Sequence, residues 1–221
     1  MIDISLVIST FTILNIIIFL PKYFINSKPL TNFEFTTMYS STIHSVFISI
    51  GMVLYIYNYI TNIKTIAQIF SISLGYYLSD LVYVLYSRIN MIQYLIHHLT
   101  IIYLICYTLS FNSINEIYWL HFYVEYLAYS LLAEIAVLPL NICWYYKNTG
   151  KSLKSIGFII WSILLVISYY FSRIINFTIL FINLISLEYY GICILGLPII
   201  ILNYYWFIKI CLIFHNKIKN D

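Results

Sequence analysis

The chain has 221 residues, of which 62% are hydrophobic and 9% are charged, and its mean hydropathy is +0.91. A soluble domain of this length carries roughly 25% charged residues, so this composition excludes an ordinary soluble domain. A net charge of +3 is too small to indicate a nucleic-acid-binding protein. Apolar runs of about 20 residues recur along the chain, long enough to cross about 30 Å of hydrocarbon, and they predict an all-α, multi-pass membrane protein.

In chain order, these apolar runs predict about seven transmembrane helices. They cover roughly residues 4–20, 38–60, 66–86, 92–110, 116–146, 155–180 and 189–212. We interpret the first as a membrane span rather than a signal peptide, because Met1–Ser5 has no basic residue and no small-residue cleavage site follows Leu20. The fifth is too long for one straight span and contains Pro139, so a kink or a partly extramembrane end is expected there.

The basic residues predict how these spans are oriented. One side of a seven-span arrangement collects Lys22, Lys28, Arg88, Lys147, Lys151, Lys154, Lys217 and Lys219. The other side carries Lys64 together with Asp3, Glu116 and Glu188. The positive-inside rule therefore predicts a lumenal or external N-terminus and a cytosolic C-terminus. Lys217 and Lys219 resemble a dilysine retrieval signal of the endoplasmic reticulum, and they fit equally well as the basic flank of the last span.

Ionisable side chains inside the spans are candidates for function, because each is costly in hydrocarbon unless it is paired or hydrated. They are His44, Asp80, His97, His98, His121, Glu125, Glu134 and Arg173. Counting residues from Arg88 places Asp80 and His97 at about the same depth on neighbouring helices, with His44 and Glu134 in the same half of the membrane. We interpret His121 and Glu125 as a local pair. Arg173 is expected to be a structural tie to a carboxylate or to carbonyls.

Helical spacing places the polar residues of each span on one face. The faces contain Ser41, His44 and Ser45; Ser73, Tyr76, Tyr77, Asp80, Tyr83 and Ser87; Tyr94, His97 and His98; and Ser130, Glu134 and Asn141. Because such faces are unfavourable against lipid, they predict a shared polar cavity that is open to the cytosol.

The histidine pair favours proton-transfer or nucleophilic chemistry over metal binding. Adjacent residues on a helix point about 100° apart, so His97 and His98 cannot easily hold one metal ion, and no HExxH motif is present. A metal set made of His44, Asp80 and one of the pair remains a minority alternative. Asp80 could orient a neutral histidine base. No serine or cysteine is clearly paired with the histidines, so in a covalent step a histidine would carry the acyl group itself.

Five stretches in order resemble the TLC-domain family. They are EFTTMYSSTIHSVFISIG, SLGYYLSDLVYVLY, YLIHHLTIIYL, LLAEIAVLPLNICWYY and YYFSRI, within residues 34–212. They contain the Ser-Thr-x-His, double-histidine, Glu-x-x-x-x-Pro-x-Asn-x-x-Trp and Phe-x-Arg patterns of that family. The chain is most similar to small TLC-domain membrane proteins and more distantly to ceramide synthases. It departs from the latter after the double histidine, where CYTLSFNSINEIYWLHFYVEYL has no aspartate, so the acyl acceptor is left open.

The resemblance implies a six-helix barrel preceded by one span. The corresponding domains are 1–33 (N-terminal span and loop), 34–214 (TLC domain) and 215–221 (cytosolic tail). By resemblance to ceramide synthases, His97 and His98 are the catalytic candidates, with Asp80 and His44 as neighbours. We expect Glu134, Tyr76, Tyr94 and Asn141 to contact substrate.

Several functions remain open at this stage. The first is an acyl-CoA-dependent lipid acyltransferase in the endoplasmic reticulum, with acyl-CoA as a substrate and no tightly bound cofactor. The main alternative is a non-catalytic protein that binds, senses or traffics membrane lipid. A proton-coupled transporter and a seven-span receptor rank lower. The expected partners are the bilayer and a lipid substrate, and a homodimer is kept open.

Overall fold

The computed structural model describes the backbone of residues 2–24, 29–87, 91–110, 117–149 and 152–219. Side chains are described for the same residues apart from 17–24, 29–36, 87, 91, 117–120 and 214–219. These residues form helices joined by short turns, and no strand occurs among them. Several of the charged residues on which the predicted orientation depends lie outside the described residues or side chains. They are Lys22, Lys28, Arg88, Glu116, Lys151, Lys217 and Lys219.

The described helices include six that are long and apolar enough to cross a membrane. They are Thr37–Ile56, Ile63–Tyr86, Ile92–Ser110, His121–Asn148, Ile156–Ser186 and Tyr190–Ile213. A further N-terminal helix, α1 (Ile4–Phe24), is apolar over its described side chains, Ile4–Ile16. Its 21 residues span about 30 Å at 1.5 Å per residue, so the predicted seventh span remains a prediction. The pattern is that of an integral multi-pass membrane protein.

The chain divides into two compact units, Met1–Leu131 and Leu132–Asp221. The first unit contains α1, α2 (Pro29–Ile56), α3 (Ile63–Ser87), α4 (Met91–Ser110) and α5 (Ile117–Leu131). Within it α3 packs against α1, α2 and α4, and α5 packs against α2 and α4. The predicted domain boundaries at 33/34 and 214/215 are a different division of the chain and remain predictions.

Helix α1 packs closely against α3 at Gly75. A Cβ atom at Gly75 would lie 2.7 Å from both Thr10 Cβ and the Val7 carbonyl oxygen, so only glycine permits this approach. One turn earlier on α3, Ser71 Oγ accepts a hydrogen bond from the backbone N–H of Asp3 at 3.0 Å. Small residues at a helix crossing are typical of packing between membrane helices, which rests on close backbone approach.

The predicted second span, 38–60, starts within one residue of the candidate span Thr37–Ile56 but ends four residues too late, and the helix that contains it, α2, already begins at Pro29. Proline is well suited to a first helical turn because its missing N–H has no partner there. The end is set by Asn58, whose φ of 61° is left-handed. The N–H groups of Asn58 and Tyr59 donate back to the carbonyls of Tyr55 and Leu54, which is a Schellman motif.

The second unit begins with two short helices of different geometry. A 3₁₀ segment (Leu132–Ala136) leads into α6 (Val137–Asn148). The departure from α-helical geometry lies in the turn before Pro139, and the kink expected there remains a prediction. Proline supplies no N–H to the carbonyl four residues earlier, that of Ile135, so α-helical bonding is lost in that turn.

The rest of the second unit contains α7 (Ile156–Tyr169), a π-helical segment (Tyr170–Ile175), α8 (Asn176–Ser186) and α9 (Tyr190–Lys219). The Ser155 side chain caps α7 by accepting a hydrogen bond from Phe158 N–H. Helix α8 ends at Ser186, six residues beyond the predicted boundary of 180 and two residues before a second left-handed residue, Glu188. Residues of α6, α7 and α9 pack around Tyr169 and Ile174.

Candidate functional site

His98 on α4 is held at both of its ring nitrogens. Its Nε2 lies 2.6 Å from Asp80 Oδ2 on α3, and its Nδ1 lies 2.8 Å from the carbonyl oxygen of Tyr94, one turn earlier on α4. The side chains of His98 and Asp80 are 5% and 20% exposed, so this hydrogen bond is shielded from its surroundings. Depth counting paired Asp80 with His97, whereas the structure pairs it with the next residue.

The two contacts of His98 fix the number of protons that the pair carries. A carbonyl oxygen can only accept, so Nδ1 carries a hydrogen. The Nε2···Oδ2 contact then needs one further proton, either on the ring or on the carboxyl group. In both cases His98 and Asp80 together are electrically neutral. Such a pair is compatible with a hydrocarbon environment, where a lone charge is strongly disfavoured.

His44 on α2 is positioned by residues of α3. Its Nε2 lies 3.2 Å from Ser73 Oγ, and its ring stacks on Tyr76 with centroids 3.8 Å apart and planes 8° apart. Tyr77 meets the edge of His44 at 5.3 Å and that of His98 at 5.8 Å. A continuous set of rings therefore joins His44 to the His98–Asp80 pair.

His97 belongs to the same cluster but points in a different direction from His98. It is buried, and its ring meets that of His98 edge-on, with centroids 5.4 Å apart and planes 83° apart. Tyr94, whose carbonyl holds His98, also has its ring 6.3 Å from the His98 ring. We refer to His44, Tyr76, Asp80, Tyr94, His97 and His98 as the histidine cluster.

The structure thus brings together six of the eight predicted site residues in the first unit. The other two, Glu134 and Asn141, belong to the second unit, where Glu134 is buried and Asn141 is half-buried. Ser73 and Tyr77 were noted as part of a polar face but not as site residues. Ser73 and Tyr77 lie four residues apart on α3, and Tyr77 lies about one turn before Asp80. This helical spacing was the signal that could have identified them.

Glu134 lies beside Arg173, where the 3₁₀ and π-helical segments meet. Arg173 Nε donates to the Ala133 carbonyl at 3.0 Å, and its Nη2 lies 3.8 Å from Glu134 Oε1. The contacts expected of Arg173, with a carboxylate or with carbonyls, are present, one of each kind. A separation of 3.8 Å between Nη2 and Oε1 is that of an ion pair and is too long for a direct hydrogen bond between these two atoms.

A third polar residue, Asn203 on α9, joins this group and was missed from the sequence. Its Oδ1 accepts hydrogen bonds from Arg173 Nη1 and from the Tyr169 hydroxyl, each at 3.4 Å. The Tyr169 ring also lies under the guanidinium, 5.3 Å from Arg173 Cζ. We refer to Glu134, Tyr169, Arg173 and Asn203 as the arginine cluster. A search for uncharged polar residues inside apolar spans would have identified Asn203.

Neither cluster resembles a metal centre. Among the residues that the structure describes, no three His, Cys, Asp or Glu side chains are grouped so that they could hold a metal ion. Comparison with protein-family models, with curated proteins and with solved structures found no match.

Proposed function

We propose that this chain is a TLC-type membrane protein that acts on lipids as an acyl-CoA-dependent acyltransferase, with the histidine cluster as its catalytic site. The observation that carries the proposal is the buried 2.6 Å contact between His98 Nε2 and Asp80 Oδ2, next to a second buried histidine. The helix pattern supports it as well, because six candidate spans preceded by another helix is the arrangement that the resemblance implies.

The two histidines have different roles in this proposal. His98 already uses both ring nitrogens within the protein, so it is the positioning residue, held by Asp80 and Tyr94. His97 is the catalytic residue that meets the acyl group. Its imidazole attacks the thioester carbonyl, the C–S bond breaks, and the CoA thiolate takes the imidazole proton. The hydroxyl or amine of a lipid then attacks the acyl-imidazole, gives its proton to the ring and releases His97.

The proposed reaction needs access for acyl-CoA from one side of the membrane. We place the N-terminus in the lumen of the endoplasmic reticulum and the C-terminus in the cytosol, in accordance with the basic residues of the sequence. Lys147 and Lys154, both exposed, would then lie on the cytosolic side and attract the CoA phosphates.

The proposal is tested by intact-protein mass spectrometry. Detergent-purified protein is incubated with mixed long-chain acyl-CoAs, and lipids are extracted from the same samples. We expect a mass increase of one acyl group, or an acylated lipid product, in the wild type. We expect neither in His97→Ala. His121→Ala is the matched control, because His121 is an exposed histidine of the same unit.

The thermal unfolding of each variant separates a catalytic defect from a folding defect. An acyl adduct that persists in His97→Ala would refute the assignment of His97. A well-folded wild type that forms neither adduct nor product would refute the acyltransferase.

The second candidate function is a non-catalytic protein that binds, senses or traffics membrane lipid. Two observations favour it. Both ring nitrogens of His98 have hydrogen-bond partners within the protein, and His44 stacks closely on Tyr76, as expected of internal structural residues. On this reading His97→Ala and His98→Ala lower stability, while the wild type binds lipid without turnover.

A further inference from the structure

The amide of Asn203 is oriented by its neighbours. Arginine has only donors, and Arg173 Nη1 faces the amide at 3.4 Å, so the atom that faces it is the oxygen. The Tyr169 hydroxyl donates to the same oxygen. The two N–H bonds of Nδ2 therefore point away from Tyr169 and Arg173.

These two N–H groups are buried without an acceptor. Asn203 is 1% exposed, and its Nδ2 has no hydrogen-bond partner among the described residues. Ser172, the residue before Arg173 in the chain, also has a buried Oγ with no such partner. An unsatisfied polar group in hydrocarbon costs several kcal/mol. Such donors therefore indicate a place where an acceptor binds.

The charges of the arginine cluster select the kind of acceptor. Arg173 and Glu134, both 8% exposed, cancel each other at 3.8 Å. An anionic ligand would add a second buried negative charge beside the Glu134 carboxylate, which is strongly unfavourable. A neutral acceptor, such as a carbonyl oxygen, satisfies the donors without adding charge.

The position of Asn203 indicates where such a carbonyl comes from. It lies on α9, within the candidate span Tyr190–Ile213, and only 17% of this span is buried inside the protein, the lowest share of the six. The neighbouring residues Tyr204 and Tyr205 are exposed. A molecule that approaches from the bilayer therefore has to displace one thinly packed helix to reach the amide.

We propose that the arginine cluster is a binding site for the carbonyl oxygen of a neutral acyl group of a bilayer lipid. Asn203 Nδ2 donates to that oxygen, while Arg173 and Tyr169 hold the amide in place. An ester carbonyl of a glycerolipid and an amide carbonyl of a sphingolipid share this chemistry. The site is independent of the histidine cluster and of the proposed acyl transfer.

The test uses two photoactivatable lipids in vesicles that contain the full chain. One is a phosphatidylcholine with a diazirine beside its ester carbonyl, and the other is a ceramide with a diazirine beside its amide carbonyl. Crosslinked peptides are mapped by mass spectrometry. We expect labelling of Tyr169–Ile175 or of α9 near Asn203. In Asn203→Leu we expect about a tenfold loss, the equivalent of about 1.4 kcal/mol of binding free energy.

Asn183→Leu is the matched control, because Asn183 is exposed on α8, and it should label like the wild type. Should Asn203→Leu fail to fold, Asn203→Asp keeps an oxygen facing Arg173 while removing both donors, and it should lose labelling in the same way. The probe that labels more strongly identifies the source of the carbonyl. Equal labelling in the wild type and in a folded Asn203 variant, or an internal water as the only acceptor on Nδ2, would overturn the proposal.

Discussion

In the first unit the His98–Asp80 pair lies on two regular α-helices, whereas in the second unit the Arg173–Glu134 pair lies where the helices leave α geometry. His98 and Asp80 are 2.6 Å apart, on α4 and α3. Arg173 and Glu134 are 3.8 Å apart and belong to the π-helical and 3₁₀ segments. The first pair shares one proton and needs no other charge. The second is a pair of full charges that also requires a backbone carbonyl.

This difference shows two ways of keeping ionisable groups among apolar helices. A histidine and an aspartate can become neutral together by sharing a proton. An arginine remains charged and must be surrounded by acceptors. The irregular segments help to supply them, because a break in the α-helical pattern frees backbone carbonyls such as that of Ala133. Short π-helical segments inside α-helices are frequent at functional sites, which agrees with a ligand role for the arginine cluster.

The largest effect is expected from breaking the charge pair of the second unit. Arg173→Met removes the cation and leaves the buried Glu134 carboxylate without it, so we expect a loss of about 3–5 kcal/mol in the free energy of unfolding. Adding Glu134→Gln to this variant removes the remaining charge and should recover part of the loss. Chemical or thermal unfolding in detergent measures both. A double variant no more stable than Arg173→Met would show that charge is not the reason for the defect.

A smaller effect is expected in the first unit, where the pair is neutral. In Asp80→Asn the amide N–H₂ can donate to Nε2 of a neutral His98, so the hydrogen bond survives and we expect a loss of about 1 kcal/mol or less. Asp80→Ala leaves Nε2 buried without its partner, and we expect about 1–3 kcal/mol. The same unfolding measurement compares the two variants. An equally large loss in both would mean that an ionised Asp80 and a charged His98 stabilise the fold.

Helix packing offers a third comparison between the units. Gly75→Ala places a methyl group 2.7 Å from Thr10 Cβ and Val7 O, and overpacking of this kind costs about 1–3 kcal/mol. Gly196→Ala on α9 meets nothing within 4 Å, so we expect a gain of about 0.5–1 kcal/mol from helix propensity. The thermal unfolding midpoints of the two variants should therefore move in opposite directions. A stabilised Gly75→Ala would show that α1 does not pack on α3 as described.

The sequence was sufficient for the approximate positions of six candidate spans and for the residues of the histidine cluster, but not for the pairing within it. Polar residues on apolar helices are few, so their helical faces can be read from spacing alone. Depth counting cannot distinguish His97 from His98, which are separated by 1.5 Å along the axis and by 100° around it. The packing of α3 against α4 decides that His98 meets Asp80, and this depends on side chains along both helices.

The arginine cluster was predictable only in part, for a different reason. Any arginine in a span needs acceptors, so the tie made by Arg173 followed from chemistry. The π-helical segment Tyr170–Ile175 contains neither proline nor glycine, and no local signal marks it. The 3₁₀ segment has such a signal in Pro139, although its position one turn earlier required the structure. The contacts of Asn203 depend on the π-helical segment, because its partners Arg173 and Tyr169 lie in and next to that segment.

The smallest effect concerns Asp3, which caps α1 at its start. Its Oδ1 accepts hydrogen bonds from the Ser5 hydroxyl at 2.6 Å and from the Leu6 N–H at 3.2 Å. These two hydrogen bonds, that of Ser5 first, lower the pKa of the Asp3 carboxyl from its ordinary value of 3.8. A lowered pKa means that the carboxylate stabilises the folded state at pH values above 3.8 and that this contribution is lost as the pH falls through the lower, folded-state pKa.

Asp3→Asn tests this contribution, since the amide oxygen can still accept from Leu6 but does not ionise. We expect its stability to be slightly below that of the wild type at neutral pH and to converge with it in acid. Unfolding curves at pH 7 and near pH 3 measure the difference, with Ser5→Ala as a control that removes the larger cause of the shift. A gap that stays constant between the two pH values would mean that Asp3 acts through hydrogen-bond geometry alone. A loss confined to neutral pH would show that the ionised carboxylate itself, through Ser5 and Leu6, stabilises the start of α1, where the backbone N–H of Asp3 also donates to Ser71 on α3.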